Sequence, residues 1–171
     1  KTLGILGMGR IGSAVARIAQ AFGMDLIGWS RRKESLKGTT VKWVERNEVF
    51  QHADFVSLHL PLARDTRGIV NRETLSWMKP DAYLINTARG GLVVDDDLAG
   101  ALRSGRIAGA ALDVVGVEEP PLPDNPLLSA PNCIITPHIA WATREARTRC
   151  LEEAAANLHA FLSGITRNRL V

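Results

Sequence analysis

Cysteine is scarce in this chain: Cys133 and Cys150 are the only two in 171 residues. They stand in no metal-ligand spacing, which excludes a cysteine-built metal centre and a disulfide-stapled scaffold. They read as small core residues or free thiols of a reducing, cytoplasmic setting, with no disulfide between them. Aromatic residues are also few, at 5%. No basic stripe interleaved with aromatics occurs, and no nucleic-acid motif. The formal charge of +3 therefore does not point to a nucleic-acid partner. Its clusters are Arg31 to Lys33 and Arg144, Arg147 and Arg149, the second of which reads as a solvated helix face. No apolar run approaches the ~20 residues needed to cross a bilayer, and no secretory signal precedes the first apolar segment. No membrane partner is expected. Repeats and low-complexity tracts are absent. The chain opens on lysine rather than methionine, so it reads as a piece of a longer protein with no further N-terminal domain of its own.

What is present is a globular composition, 46% apolar and 23% charged, in a length that suits one domain spanning residues 1–171 with a sizeable core. The apolar run Thr2-Leu3-Gly4-Ile5-Leu6 reads as a buried strand. Gly7-Met8-Gly9-Arg10-Ile11-Gly12 follows at once, and Ser13 to Phe22, closed by Gly23, reads as a helix. Strand, glycine turn and helix are the setting that a dinucleotide fingerprint requires. Gly7 permits the tight turn, Gly9 lets the backbone approach a pyrophosphate, and Gly12 lets helix and strand pack closely. The helix start offers free N–H groups and a positive dipole end. A glycine-rich turn needed only for packing would look the same.

The second strand, Asp25 to Trp29, ends without an acid. An NAD site normally places one here to bind the adenosine ribose 2′-hydroxyl. Ser30 stands in its place, followed by Arg31, Arg32 and Lys33. A carboxylate would repel a 2′-phosphate, whereas a hydroxyl and two guanidinium forks would hold one. NADP(H) is therefore favoured, with NAD(H) possible. A solvated basic loop is the plain alternative.

Further segments alternate. Val41 to Val44 is extended and Asn47 to His52 is helical. Asp54 to Leu58 is a strand that ends at His59-Leu60-Pro61. Asn71 caps a helix reaching Met78. Ala82 to Asn86 is a strand, and a helix runs from Asp95 or Asp96 to Arg103. Ala108 to Leu112 is a strand ending at Asp113. A proline-rich loop covers Gly116 to Pro131, Cys133 to Thr136 is the last strand, and a long helix runs from about Thr143 to Leu162. The expected class is α/β, a Rossmann-type doubly wound parallel sheet with helices on both faces. Ligands of such sheets sit beyond the carboxyl ends of the strands. Arg89, Asp113 and His138 each follow a strand, so they are expected to converge on one crevice.

Nearly the whole chain resembles the nucleotide-binding domain of the D-isomer-specific 2-hydroxyacid dehydrogenases. The resemblance rests on Gly7 to Gly12, Val56-Ser57-Leu58-His59-Leu60-Pro61-Leu62, Met78-Lys79-Pro80, Ile85-Asn86-Thr87-Ala88-Arg89-Gly90-Gly91, Ala111-Leu112-Asp113-Val114 and Thr136-Pro137-His138-Ile139-Ala140. The stretch from Asn132 to Thr143 is most similar to the glycerate dehydrogenase (hydroxypyruvate reductase) branch. The Ser30-Arg31-Arg32 turn is similar to NADPH-using glyoxylate/hydroxypyruvate reductases. The resemblance implies an oxidoreductase acting on the CH–OH group of a small 2-hydroxy acid. It also implies a second, flavodoxin-like substrate domain missing from this chain, which roughly residues 151–171 would normally contact. The isolated domain should bind nucleotide with little turnover. A homodimer through this domain is implied as well. A dinucleotide-sensing corepressor of the same family, and an isolated interaction module, are the other classes that fit.

The resemblance assigns roles. His138 is the general acid/base, since imidazolium can protonate a developing alkoxide near neutral pH. Glu118 is its carboxylate partner, favouring the charged ring and fixing its tautomer. Spacing from Asp113 selects Glu118, whereas adjacency to Pro120 selects Glu119; Glu118 is preferred because the loop can vary beyond it. A glutamate here disfavours formate dehydrogenase, where the partner is a glutamine. Arg89 binds the substrate carboxylate and stabilises charge on the carbonyl oxygen. Asp113 orients the nicotinamide carboxamide. Arg10 and Ile11 meet the pyrophosphate through backbone N–H groups. Thr87, Ala88, Leu60 and Pro61 line the cofactor, and Thr66 either reaches the phosphates or caps its loop. His59 reads as structural, His52 and His159 as surface or helix residues. Trp141 either walls the substrate pocket or packs in the core.

Overall fold

The computed structural model describes residues 1–31, 38–116 and 123–169. The chain forms two compact units, Lys1–Pro137 and His138–Val171.

Among the described residues the first unit holds seven strands and four helices: β1 (Thr2–Leu6), α1 (Arg10–Ala21), β2 (Asp25–Trp29), β3 (Lys42–Trp43), α2 (Arg46–His52), β4 (Phe55–Leu58), α3 (Arg72–Trp77), β5 (Tyr83–Asn86), α4 (Asp95–Arg103), β6 (Gly109–Leu112) and β7 (Cys133–Ile135). All seven strands lie in one parallel sheet ordered β3-β2-β1-β4-β5-β6-β7. The chain leaves β1 for β2 and β3 on one side and returns to β4 on the other. The reversal puts the topological switch point between β1 and β4, where the crevice of a doubly wound sheet opens. The expected class is the one observed. Two short 3-10 turns, Gly90–Leu92 and Pro126–Ser129, lie in stretches whose sequence carries no helical pattern.

Strand alternation sorts the core into two layers. Leu3 and Ile5 of β1 and Leu26 of β2 pack with Ala16 and Ala19 of α1. α1 buries Gly12, Ser13, Ala16 and Ala19, a stripe of small side chains that brings the helix close to the sheet. The alternate residues face α2: Leu6, Val56, Leu58 and Leu84 join Val49, Phe50 and Ala53 in the larger cluster. Gly4 belongs to that face, where a Cβ would stand 2.7 Å from Val49 and 2.8 Å from Ala53. Cover is unequal. On the α1 side, register aligns Leu3 with Phe55 and Tyr83, and Ile5 with Ser57, Ile85, Ala111 and Ile134. Along those rows Tyr83 is 44% exposed and Ile134 66%.

Caps and a salt bridge fix the ends. Asn71 accepts from the N–H groups of Glu73 and Thr74, so it caps α3 as expected. Asp54 accepts from the Thr2 N–H (2.7 Å) and from Lys79 Nζ (2.9 Å), tying β1, β4 and the approach to β5 at their amino ends. These bonds hold the Asp54 carboxyl below the usual range.

The second unit is built on α5 (Arg144–Leu162), capped by Thr143, whose hydroxyl accepts from the Ala146 N–H. Its tail folds back through Arg167 and Asn168, both bonded to Glu153. Leu151, Leu158, Phe161 and Leu162 are all exposed. Both cysteines are free. Among the described residues no helix is long and apolar enough to cross a membrane.

Candidate functional site: a nucleotide cleft at the carboxyl ends of the strands

The glycine turn between β1 and α1 separates three demands that its sequence pattern combines. Gly7 adopts φ +97°, and a Cβ there would stand 2.6 Å from the His59 carbonyl oxygen. At Gly12 a Cβ would stand 2.1 Å from the Gly7 carbonyl oxygen. Gly9 differs: its φ is −79°, open to any residue, and a Cβ would meet nothing within 4 Å. Two glycines are therefore required by the protein's own packing, and the third faces open space. Gly9 is also the N-cap of α1, and no side chain bonds the helix start. The first-turn N–H groups, including those of Arg10 and Ile11, have no acceptor within the helix. Arg10 and Ile11 are exposed. An anionic group fits this opening by both shape and charge.

The turn forms the floor of a cleft of about 350 Å³, lined by Gly7, Met8 and Gly9, by Ser30 and Arg31 after β2, and by His59, Leu60, Pro61 and Thr66 after β4. Size does not single it out, since a groove between α3 and α4 measures about 380 Å³. Position does: the cleft lies at the switch point and that groove does not.

The β4 wall is rigid. His59 donates its N–H to the Leu6 carbonyl, and its Nε2 lies 2.9 Å from Ser57 Oγ. Burial pushes the His59 imidazole below its usual range. A neutral ring bonded to its own strand suits a structural histidine. The Thr66 hydroxyl is buried; it donates to the Pro61 carbonyl (2.7 Å) and accepts from the Ala63 N–H (2.8 Å). These are the bonds of a loop cap, one of the two roles open to Thr66, which also lines the cleft. The β2 wall is exposed. Ser30 is half-buried, and the Arg31 guanidinium pairs with Asp65 of the opposite wall. That contact holds the Asp65 carboxyl below the usual range. Arg32 lies outside the described residues.

Beyond β5 and β6 a second group of predicted residues comes together. Asn86, fully buried at the end of β5, accepts from the Ala88 N–H and donates to the Arg89 carbonyl, both at 3.0 Å. This side-chain turn shapes Thr87, Ala88 and Arg89. Thr87 and Arg89 are exposed, and Arg89 Nη1 donates to the Ala88 carbonyl. Gly90 presses on the segment after β6: a Cβ would stand 1.6 Å from the Val115 carbonyl oxygen. Asp113 is buried, bonded by its N–H to the Asn86 carbonyl (2.9 Å) and accepting from the Thr136 hydroxyl. Asp95 accepts from the Gly116 N–H and from Asn125 Nδ2, so one carboxylate holds both ends of the intervening loop. Glu118 and Glu119 in that loop lie outside the described residues.

Arg89 and Asp113 thus follow neighbouring strands of the first unit. His138 opens the second unit, half-buried and at φ 53°. Positive φ is uncommon for a residue with a side chain and recurs where function constrains the backbone. Trp141 is 58% exposed. The sequence reading gave no role to Asn86, Asp65 or Asp95. An asparagine two residues ahead of a turn is a legible signal for the first; no local signal marks the other two, whose partners are 34 and 21 residues away.

The chain belongs to the D-isomer-specific 2-hydroxyacid dehydrogenase family: residues 1–140 match the model of that family's NAD-binding domain. Among curated relatives it is 47% identical over 165 residues to a hydroxypyruvate reductase of Blautia hydrogenotrophica, covering 96% of this chain and 51% of that protein. It is 46% identical over 173 residues to a glyoxylate reductase of Aeropyrum pernix, covering 100% and 51%. Among solved structures, an acyclic imino acid reductase in complex with NADPH and D-Arg superposes with a TM-score of 0.89 at 38% identity, covering 100% of this chain and 54% of that one. The chain therefore spans about half the length of the curated relatives it matches.

Proposed function

We propose that this chain is the dinucleotide-binding half of a reductase that interconverts a small 2-keto acid, of the hydroxypyruvate or glyoxylate type, and its D-2-hydroxy acid, with NADP(H) favoured over NAD(H). The observation that carries the reading is Gly9, which is unconstrained by the fold, in a turn whose other two glycines are filled by it. A bound reduced nicotinamide supplies the hydride. Asp113 orients the carboxamide of that ring, and the turn fixed by Asn86 presents Arg89 to the substrate carboxylate. The guanidinium also stabilises negative charge on the carbonyl oxygen. His138 donates the proton to that oxygen, and the carboxylate of Glu118 fixes the tautomer of its ring. Ser30 and Arg31 at the cleft, followed in the sequence by Arg32, support the 2′-phosphate preference. Alone, the domain binds nucleotide but lacks turnover. The exposed Leu151, Leu158, Phe161 and Leu162 of α5 support a homodimer formed through this domain.

The test is calorimetric titration of the chain with NADPH and NADH, repeated with Gly9→Ala and with Arg31→Ala/Arg32→Ala. Loss of binding in the first variant and loss of NADPH preference in the second are expected. Equal binding by Gly9→Ala would reduce the turn to packing, and tighter NADH binding, untouched by the double substitution, would make the enzyme NAD-linked.

A further inference from the structure

Arg31 already has an anionic partner. Its guanidinium reaches from the end of β2 to the Asp65 carboxylate, in the loop after β4. The pair spans the mouth of the cleft, since Arg31 itself lines one wall and Thr66, the residue after Asp65, lines the other. Both side chains are exposed, at 59% and 62%, so the contact is easily exchanged for water or for another anion. The loop that carries Asp65 is not so free. Thr66 bonds to Pro61 and Ala63, and the Arg67 N–H donates to the Ala63 carbonyl (2.9 Å). The carboxylate is thus held at the rim by its backbone, while the guanidinium sits at the end of a long, exposed side chain.

We propose that Asp65 is a specificity-determining residue that works against the basic turn: by occupying Arg31 it weakens recognition of a ribose 2′-phosphate and narrows the preference for NADP(H) over NAD(H). This rests on the 2′-phosphate reading given above. Two effects act in one direction. A 2′-phosphate must draw Arg31 away from Asp65, giving up one charge-assisted bond to make another. Once that exchange is made, the carboxylate is left without its partner at the rim of a site holding a phosphate dianion, and like charges repel. A free ribose 2′-hydroxyl meets neither cost. The chain therefore carries the residues of an NADP site together with a built-in competitor, and the balance between them is set by one carboxylate.

A titration with two small probes tests this: adenosine 2′,5′-bisphosphate and 5′-AMP, which differ only by the 2′-phosphate. Wild type, Asp65→Asn, Arg31→Ala and the double variant are compared by calorimetry, with NADPH and NADH run alongside. Asp65→Asn is expected to raise the affinity ratio of bisphosphate to monophosphate by about three- to tenfold, the scale of an exposed charge pair with a phosphate nearby. The gain is expected to fall well below that size in the Arg31→Ala background, where only the direct repulsion between carboxylate and phosphate remains, and to shrink in about 1 M salt, where exposed charges are screened. An unchanged ratio in Asp65→Asn, or a gain of the same size without Arg31, overturns the proposal. So does an absence of bisphosphate binding by every variant. Failure of the underlying reading is distinguished by the Arg31→Ala variant alone: if it leaves the wild-type ratio unaltered, the basic turn recognises no 2′-phosphate. If it lowers the ratio while Asp65→Asn does not raise it, the 2′-phosphate reading stands and only the role of Asp65 is lost.

Discussion

The two ends of the central strands β1 and β4 are built on opposite terms. At the amino ends Asp54 gathers the Thr2 N–H and the Lys79 ammonium into one satisfied group. At the carboxyl ends the glycine turn leaves Gly9 facing empty space, and the neighbouring Arg31 pairs with an exposed carboxylate. One end spends its polar groups on the fold, and the other keeps them for a ligand. Stability and binding should therefore separate by substitution, except where the turn itself is wedged into the sheet.

Gly12→Ala is the exception and the largest effect expected. Its Cβ would overlap the Gly7 carbonyl at 2.1 Å, against backbone. A loss of about 3 kcal/mol or more, at the upper end of overpacking costs, should accompany loss of nucleotide binding, both read by denaturant titration with and without NADPH. Asp54→Asn should break the opposite end: a charge-assisted bond lost there costs about 1.5–3 kcal/mol, with nucleotide affinity unchanged. Because the folded carboxyl titrates below its ordinary 3.8, this stabilisation is complete above the unfolded value. It disappears as pH falls through the folded one. Melting curves of variant and wild type should therefore converge in acid and diverge towards neutrality.

Gly9→Ala should do the reverse of Asp54→Asn. Nothing in the protein meets its Cβ, so stability should stay within about 0.5 kcal/mol, while NADPH affinity falls tenfold or more, about 1.4 kcal/mol. A variant that binds normally would dissolve the contrast between the two ends. Smallest is Thr66→Val, which removes the hydroxyl bonds inside the β4 wall. A cost of about 1 kcal/mol with only a slight change in nucleotide affinity would mark Thr66 as a loop cap; a loss of affinity without loss of stability would return it to the phosphates.

The contrast also explains what could be read in advance. Strand positions, the Asn71 cap and the glycine turn follow from local patterns: alternation, Asn71 before a helix, three spaced glycines. The bland reading of His59 was legible because it sits within a strand-end motif, and its bond to Ser57 is only two residues long. Asp65 and Asp95 escaped because their meaning lies in partners far along the chain. A charge in a loop looks alike whether it faces water or reaches across a cleft. The division of the chain after Pro137 was equally invisible, because the motif that carries His138 runs through the boundary.

The sheet closes on two very short rims among the described residues, β3 with two residues and β7 with three. Pro131 and Pro137 bracket β7, and neither can donate to a ladder. A stray strand has little to template upon at either margin, which protects the domain against edge-to-edge aggregation. Any molecule that settles on the exposed Tyr83 and Ile134 must therefore do so through side chains, not by lengthening the sheet. That favours well-behaved expression of the domain on its own, despite its bare apolar surface.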